Sequence, residues 1–290
     1  MKEDFEAYLK SRQYSSRTIE TYLVSLGRYL EWLERENIEV EQVTYNDLLL
    51  YMKHQSKSVS QRGLAGYMLA VKHFYHHLMR EKKVTTNPAE DIQVKGVKRK
   101  ILYHILAPHE LHQLYNAYPG QSISEKRKKV MLGLMGYQGL KTEELKKLEV
   151  KDVKLREGQL TVPGGRRSNG RTMTLEPHQI MDMYDYVLQV RPELLKRISQ
   201  TTDNLLVIPK DNGYISNLVT ELMKKLKEIN SNVLNPNQIR ASVITKWIKM
   251  YNLREVQYLA GHRYISSTEW YLENDLEGLQ EEINQYHPLG

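Results

Sequence analysis

The sequence predicts a mostly α-helical protein with a small β-sheet, an α+β chain of two domains. Three features carry that reading. Apolar residues recur at three- and four-residue steps along most of the chain, and period-two alternation is confined to short runs around a glycine-rich turn. A basic, non-periodic stretch before residue 105 separates an all-helical part from a mixed one. At 290 residues the chain can fill the cores of one or two domains.

The elements follow in order. In SSRTIETYLVSLGRYLEWLERENI, Ile19, Tyr22, Leu23, Leu26, Leu30 and Leu33 share one helical face behind the candidate caps Ser15 and Ser16. Thr44 and Asp47 form a capping box that opens NDLLLYMKHQ. The next helix, SQRGLAGYMLAVKHFYHHLMRE, aligns Leu64, Met68, Val71, Phe74, Tyr75 and Leu78, and Asn87-Pro88 marks a turn after it. These make a four-helix domain over 1–92, followed by a basic linker over 93–105 that carries Lys95, Lys98 and Arg99. The second domain, 106–290, opens with Pro108 at a first helical position, then helices in SEKRKKVMLGLMGYQ and TEELKKLEV. QLTV and RTMTL form a hairpin, NLLVIP reads as a further strand, and NLVTELMKKLKEI and everything from Asn237 read as helix.

Composition narrows the function. A net charge of +7 and a pI near 9.2 favour a polyanionic partner, nucleic acid being the commonest, although a solvated lysine-rich surface gives the same charge. With no cysteine, disulfides, thiolate nucleophiles and Cys-bound zinc are excluded. The first residues lack the apolar core of a signal peptide, and no run approaches the roughly 18 apolar residues of a spanning helix. A cytoplasmic protein with no membrane association is expected.

Two motifs mislead. Gly165 to Thr172 is a near miss for a phosphate-binding loop, but its lysine is replaced and it runs into a strand rather than a helix. His73 and His77 lie one helical turn apart without an accompanying carboxylate, and read as half-buried or solvent-facing rather than as metal ligands.

A third pattern carries chemistry. Arg240, His262 and Tyr271 offer a cationic clamp, a donor and a nucleophile for attack on a phosphodiester. That reaction loads negative charge onto non-bridging oxygens, which guanidinium groups grip in pairs. It also needs a proton for the departing 5′ oxygen. A covalent phosphotyrosine conserves the bond energy, so rejoining needs no ATP, and no metal or cofactor is expected. Each residue also has a plainer reading. Tyr271, one of 20 tyrosines, can be core; Arg240 can form a surface ion pair; His262 can cap a helix; Lys141 can be a solvated charge.

At these residues the chain resembles the tyrosine recombinases, the phage-integrase type of site-specific DNA recombinases. The family carries an arginine in G-L-R-x-x-E-L, a hairpin lysine, H-x-x-R, then G-H, and a tyrosine nine residues later. Here GLKTEEL places Lys141 at the arginine, NQIR places Asn237 at the histidine and keeps Arg240, and LAGH gives His262 nine residues before Tyr271. The hairpin has Arg166 near the lysine's place. YSSRTIETY and NPAEDI resemble the family's core-binding domain, so the likeness spans nearly the whole chain. Three positions depart from the pattern. Lys141 neutralises but cannot fork, Asn237 donates but cannot carry a proton, and Arg166 is a poor general acid.

The resemblance implies a helical, SAM-like core-binding domain and a catalytic domain that close as a clamp on double-stranded DNA. Recombination (integration, excision, inversion or resolution) would pass through a 3′-phosphotyrosine on Tyr271, served by Arg240, His262, Lys141, Asn237 and Arg166. Ser60, Gln61 and Arg62 would face a groove, and Lys95, Lys98 and Arg99 the backbone. The family acts as a homo-tetramer on paired sites, from a free monomer or weak dimer, at times with an accessory DNA-bending protein. The terminal helix with Leu276, Leu279 and Ile283 would be exchanged between protomers, and the bound protein would sit on the nucleoid. Because three catalytic positions differ, an impaired recombinase-fold protein with a DNA-binding or architectural role is the alternative.

Overall fold

The computed structural model describes residues 1–96, 104–165, 168–199, 201–208 and 214–273. The chain divides into two compact units, Met1–Arg99 and Lys100–Gly290. The first is built from α1 (Lys2–Ser11), α2 (Ser16–Glu36), α3 (Tyr45–Gln55) and α4 (Gln61–Arg80). Ser15 caps α2 by accepting from the Thr18 N–H at 3.2 Å, and Asn37 ends it in the left-handed region at φ 53°. The Thr44–Asp47 capping box forms, with the Thr44 N–H donating to Asp47 Oδ2 at 2.8 Å. Ile19, Leu26, Leu33 and the whole predicted stripe of α4 are buried, together with Phe5 and Leu9 of α1. His77 is buried against Phe5 and Tyr8, deeper than expected, because α1 covers that face of α4.

The second unit opens with α5 (Pro108–Ala117), α6 (Ile123–Gly136) and α7 (Thr142–Lys147). An antiparallel sheet follows, β1 (Val153–Lys154), β2 (Gln159–Val162) and β3 (Arg171–Thr174), in the order β1-β2-β3. Its register pairs Leu160 with Met173 and Val162 with Arg171, and these four side chains turn into the core. The near-miss phosphate loop ends in β3, as its context indicated.

Next come α8 (Pro177–Asp185), a π-helical turn over Tyr186–Val190 and α9 (Arg191–Arg197). The sequence reading passed over this segment, although Met183, Tyr186, Val190 and Leu194 recur at helical spacing and are buried. Then follow α10 (Ile215–Ile229), α11 (Pro236–Met250), α12 (Leu253–Leu259) and helical residues 266–273.

The strand expected in NLLVIP is not formed; within its described part, residues 204–208, Asn204 alone makes an isolated bridge, to Glu149. Leu205, Leu206 and Val207 are all buried, but their backbone is served otherwise. The Leu205 N–H donates to the Leu148 carbonyl, Arg127 donates to the Val207 carbonyl, and the Tyr186 phenol bonds both Leu205 and Val207. An apolar run records burial, not strand pairing.

Candidate active site

Four of the predicted site residues converge in the second unit, brought in by three separate stretches of chain. The first is the turn between α6 and α7. Gly139 takes φ +60°, a conformation that suits glycine, and a Cβ there would crowd Trp247 and Val243. The turn presents the Gly139 carbonyl to the pocket and sets Lys141 at the start of α7. The Lys141 N–H donates to Glu144 Oε2 at 2.9 Å, and the side chain is half-buried rather than solvated. Burial, followed by the charge of Arg240, holds its ammonium below the usual lysine range.

The second stretch is α11. Asn235 caps it by accepting from the Gln238 N–H at 3.0 Å. Gln238, fully buried, donates to the carbonyls of His104 and Asn232, each at 2.8 Å, which fixes the rotation of the helix. Arg240 therefore points inward and is buried, not a surface ion pair. It donates to the Gly139 carbonyl, to the Ala260 carbonyl at 2.7 Å and to His262 Nε2 at 3.3 Å. Burial works against its charge, and Glu144 and a hydrogen bond with Tyr271 support it. Asn237 lies on the same helix one turn earlier and stays at the surface, outside the buried cluster.

The third stretch runs from the end of α12 to Tyr271. Gly261 takes φ +61° and lies against the Arg171 guanidinium, which leaves no room for a Cβ. The Asn169 N–H from the hairpin donates to the Gly261 carbonyl at 3.1 Å, clamping this loop to the sheet. His262 is held by Thr268, Nδ1 to Oγ1 at 2.9 Å. Because Arg240 can only donate, Nε2 accepts from it, which assigns the imidazole proton to Nδ1. Burial, then the charges of Arg240 and Lys141, lowers the His262 pKa to about 3, so the ring is neutral at physiological pH. The expected proton donor is thus a neutral hydrogen-bonding group. Tyr271 stacks on it, with ring centroids 5.8 Å apart and planes within 11°. The phenol side chain is half-buried.

Two members of the cluster escaped the sequence reading. Arg171 is completely buried and forks onto Glu144, with Nη1 to Oε1 at 2.8 Å and Nη2 to Oε2 at 3.2 Å. Burial alone would push the Glu144 carboxyl up; Arg171 outweighs it and brings the pKa below the usual range. A charged residue at an inward position of an alternating strand was the available signal.

Elsewhere, Ser60 caps α4, accepting from the Gly63 N–H at 3.2 Å, and Gln61 and Arg62 are exposed in its first turn. Lys95 is exposed. Arg166, Lys98, Arg99 and the terminal segment with Leu276, Leu279 and Ile283 lie outside the described residues. Among the described residues no cluster of three or more His, Asp or Glu side chains could hold a metal, and no helix is long and apolar enough to cross a membrane.

A helical domain ahead of an α+β domain, with a tyrosine stacked beside a buried arginine and histidine, defines a protein of the tyrosine recombinase class. The chain belongs to the phage integrase family, whose model matches residues 104–277, and the family's N-terminal SAM-like domain matches residues 3–82. It is 26% identical to tyrosine recombinase XerC of Anoxybacillus flavithermus over 98% of this chain and 96% of the relative. It is 28% identical to tyrosine recombinase XerD of Staphylococcus saprophyticus over 98% of both. Among solved structures, XerH recombinase bound to its palindromic difH substrate after cleavage aligns with a TM-score of 0.75 at 17% identity, covering 94% of this chain and 81% of that one. A lambda integrase dimer on a core site gives 0.66 at 13% identity, covering 93% of each chain. These last two establish the fold.

Proposed function

We propose that the protein performs site-specific DNA recombination with Tyr271 as the nucleophile. The observation that carries this is the buried Arg240, bonded to two carbonyls and to His262, beside a tyrosine that is itself stacked on His262. The phenol oxygen attacks phosphorus, the bond to the 5′ oxygen breaks, and a 3′-phosphotyrosine remains. Arg240 and Lys141 meet the charge that develops on the non-bridging oxygens. The Nδ1–H of His262 serves Thr268, and its Nε2 lone pair accepts from Arg240. When Arg240 donates to the phosphate instead, Nε2 is freed to take the phenol proton as Tyr271 attacks. A bound phosphate offsets the cations that depress its pKa, so this nitrogen becomes a better base once substrate is in place.

Lys141 gains a second role. A guanidinium at Arg166 is a poor proton donor, whereas the ammonium of Lys141, already eased toward deprotonation by burial, can protonate the leaving 5′ oxygen. Rejoining runs the same steps backwards, with a 5′ hydroxyl attacking the phosphotyrosine and Lys141 taking its proton.

The partner is double-stranded DNA. The SAM-like domain (1–92) and the catalytic domain (106–290), joined by the basic linker 93–105, close on the duplex. Ser60, Gln61 and Arg62 face a groove, and Lys95, Lys98 and Arg99 lie along the phosphates. Asn237, at the surface in the first turn of α11, donates to a neighbouring phosphate oxygen. Free monomers or weak dimers assemble as a homo-tetramer on paired sites through the terminal helix, in the cytoplasm and on the nucleoid, with an accessory DNA-bending protein at some sites.

Nicked duplexes drawn from the DNA flanking its gene test this by trapping a covalent protein–DNA adduct. The adduct should form in EDTA and disappear in Tyr271→Phe while DNA affinity holds. An adduct that survives the substitution would move the nucleophile elsewhere, with exposed Tyr264 and with Tyr286 as the nearest candidates.

A further inference from the structure

The cluster holds one buried carboxylate among three cations, and the carboxylate is shared unequally. Arg171 takes both Glu144 oxygens, at 2.8 and 3.2 Å. Arg240 Nη1 stands 3.9 Å from Oε2, too far for a hydrogen bond, and Lys141 reaches Glu144 through its backbone N–H at 2.9 Å. The Arg171 side chain has no exposure at all, so it cannot reach DNA. It also fills the space over Gly261, next to His262.

We propose that Arg171 is a positioning residue that keeps Glu144 occupied, so that Arg240 and Lys141 keep their positive charge for the scissile phosphate. The proposal rests on the reading of the Tyr271 pocket given above. The physical reason is competition. A carboxylate in a dry pocket binds the nearest available cation strongly. With Arg171 gone, Arg240 has about 1 Å to close before pairing with Glu144. That shift would also draw it from the carbonyls of Gly139 and Ala260 that aim it. Its charge would then be offset where the reaction needs it. A lysine at 171 cannot replace the fork, since one ammonium serves the two oxygens less well.

The sign of this effect separates it from a simple packing role. If Arg171 works by occupying Glu144, then removing the carboxylate as well should repair the damage. Wild type, Arg171→Met and Arg171→Met/Glu144→Gln are compared by single-turnover loss of a nicked duplex, by DNA affinity and by thermal melting. Substrate loss rather than a named adduct is measured, so the rates stay comparable whichever group attacks. Tyr271→Phe is run beside them as the separate test of the site reading.

Arg171→Met should slow cleavage about tenfold or more while DNA affinity stays within a few-fold, and adding Glu144→Gln should recover most of the rate. A double variant no faster than Arg171→Met at equal folded fraction overturns the proposal, as does wild-type cleavage by Arg171→Met. If Arg171→Met does not fold, Arg171→Lys with and without Glu144→Gln gives the same comparison. The lysine variant should be slower than wild type and rescued by Glu144→Gln, and absence of either effect overturns the proposal.

Discussion

In the N-terminal unit the largest fully buried side chains are the tyrosines Tyr29, Tyr51 and Tyr75, and Tyr29 and Tyr75 satisfy one another. Tyr29 and Tyr75 share a 2.8 Å hydrogen bond, and the Tyr75 hydroxyl donates to the Val40 carbonyl at 3.0 Å. Burial raises the phenol pKa of both, so they stay neutral and rigid. The second unit buries neutral phenols and amides too, but it also buries the charged groups Arg127, Glu144, Arg171 and Arg240, together with His262. Neutral phenols cost little to bury once bonded, whereas buried charges must be held by partners on every side. The difference agrees with the site proposed in the second unit, where buried cations would meet a reacting phosphate.

The largest effect that can break this contrast is at Arg240. Arg240→Lys loses the bonds to Gly139 and Ala260 and the fork, and should slow cleavage by roughly 100- to 1,000-fold. Lys141→Ala should also be slow, but for a different reason. A bridging 5′-sulfur leaves without needing a proton, so a phosphorothiolate duplex should restore Lys141→Ala and not Arg240→Lys. Equal restoration of both would remove Lys141 from the role of acid.

The second effect depends on pH. His262 has a folded pKa of about 3 against an ordinary value of 6.5. Between these values the unfolded chain binds more protons, so the contribution is complete above pH 6.5 and is lost progressively as pH falls toward 3. At pH 4.5 the loss amounts to about 2.7 kcal/mol at most, two pH units at 1.36 kcal/mol each. His73, His77 and His178 are shifted the same way by burial. The readout is therefore the difference between wild type and His262→Gln in urea unfolding at pH 7 and pH 4.5. A difference that does not change with pH would mean His262 is not held neutral.

The smallest effect lies in the other unit. Tyr75→Phe leaves the Tyr29 hydroxyl and the Val40 carbonyl short of a partner, and should cost about 1–2 kcal/mol in urea unfolding. Cleavage by the folded protein should be unchanged. A slower reaction at full folding would show that the aromatic core reaches the site, and the contrast between the units would fail.

Helices were most legible where a periodic face follows a cap that forms as written, as at Ser15 and the Thr44–Asp47 box. It was less informative where burial and pairing diverge. Leu205 to Val207 look like a strand because they are buried, and only the placement of Tyr186 and Arg127 shows that side chains serve their backbone. The Arg240, His262 and Tyr271 spacing was legible because those residues lie close on the chain and follow a family order. Glu144 and Arg171 were not, because their pairing is a contact across 27 residues, formed between a helix start and a strand. Nor does spacing reveal that His262 is too deeply buried to hold a proton at neutral pH.

The Gly139–Arg240 hydrogen bond spans 101 residues, and the one from Asn169 to the loop at His262 spans 93. Such long-range closures come late when a chain folds. During synthesis, α7 and the hairpin emerge well before α11, and Tyr271 leaves after all of them. A partly made chain therefore has Lys141 and Arg171 without Arg240 and without Tyr271. On the roles proposed for Arg240 and Tyr271, a chain cut short before α11 would bind phosphate with an incomplete set of cations and have no phenol to attack it.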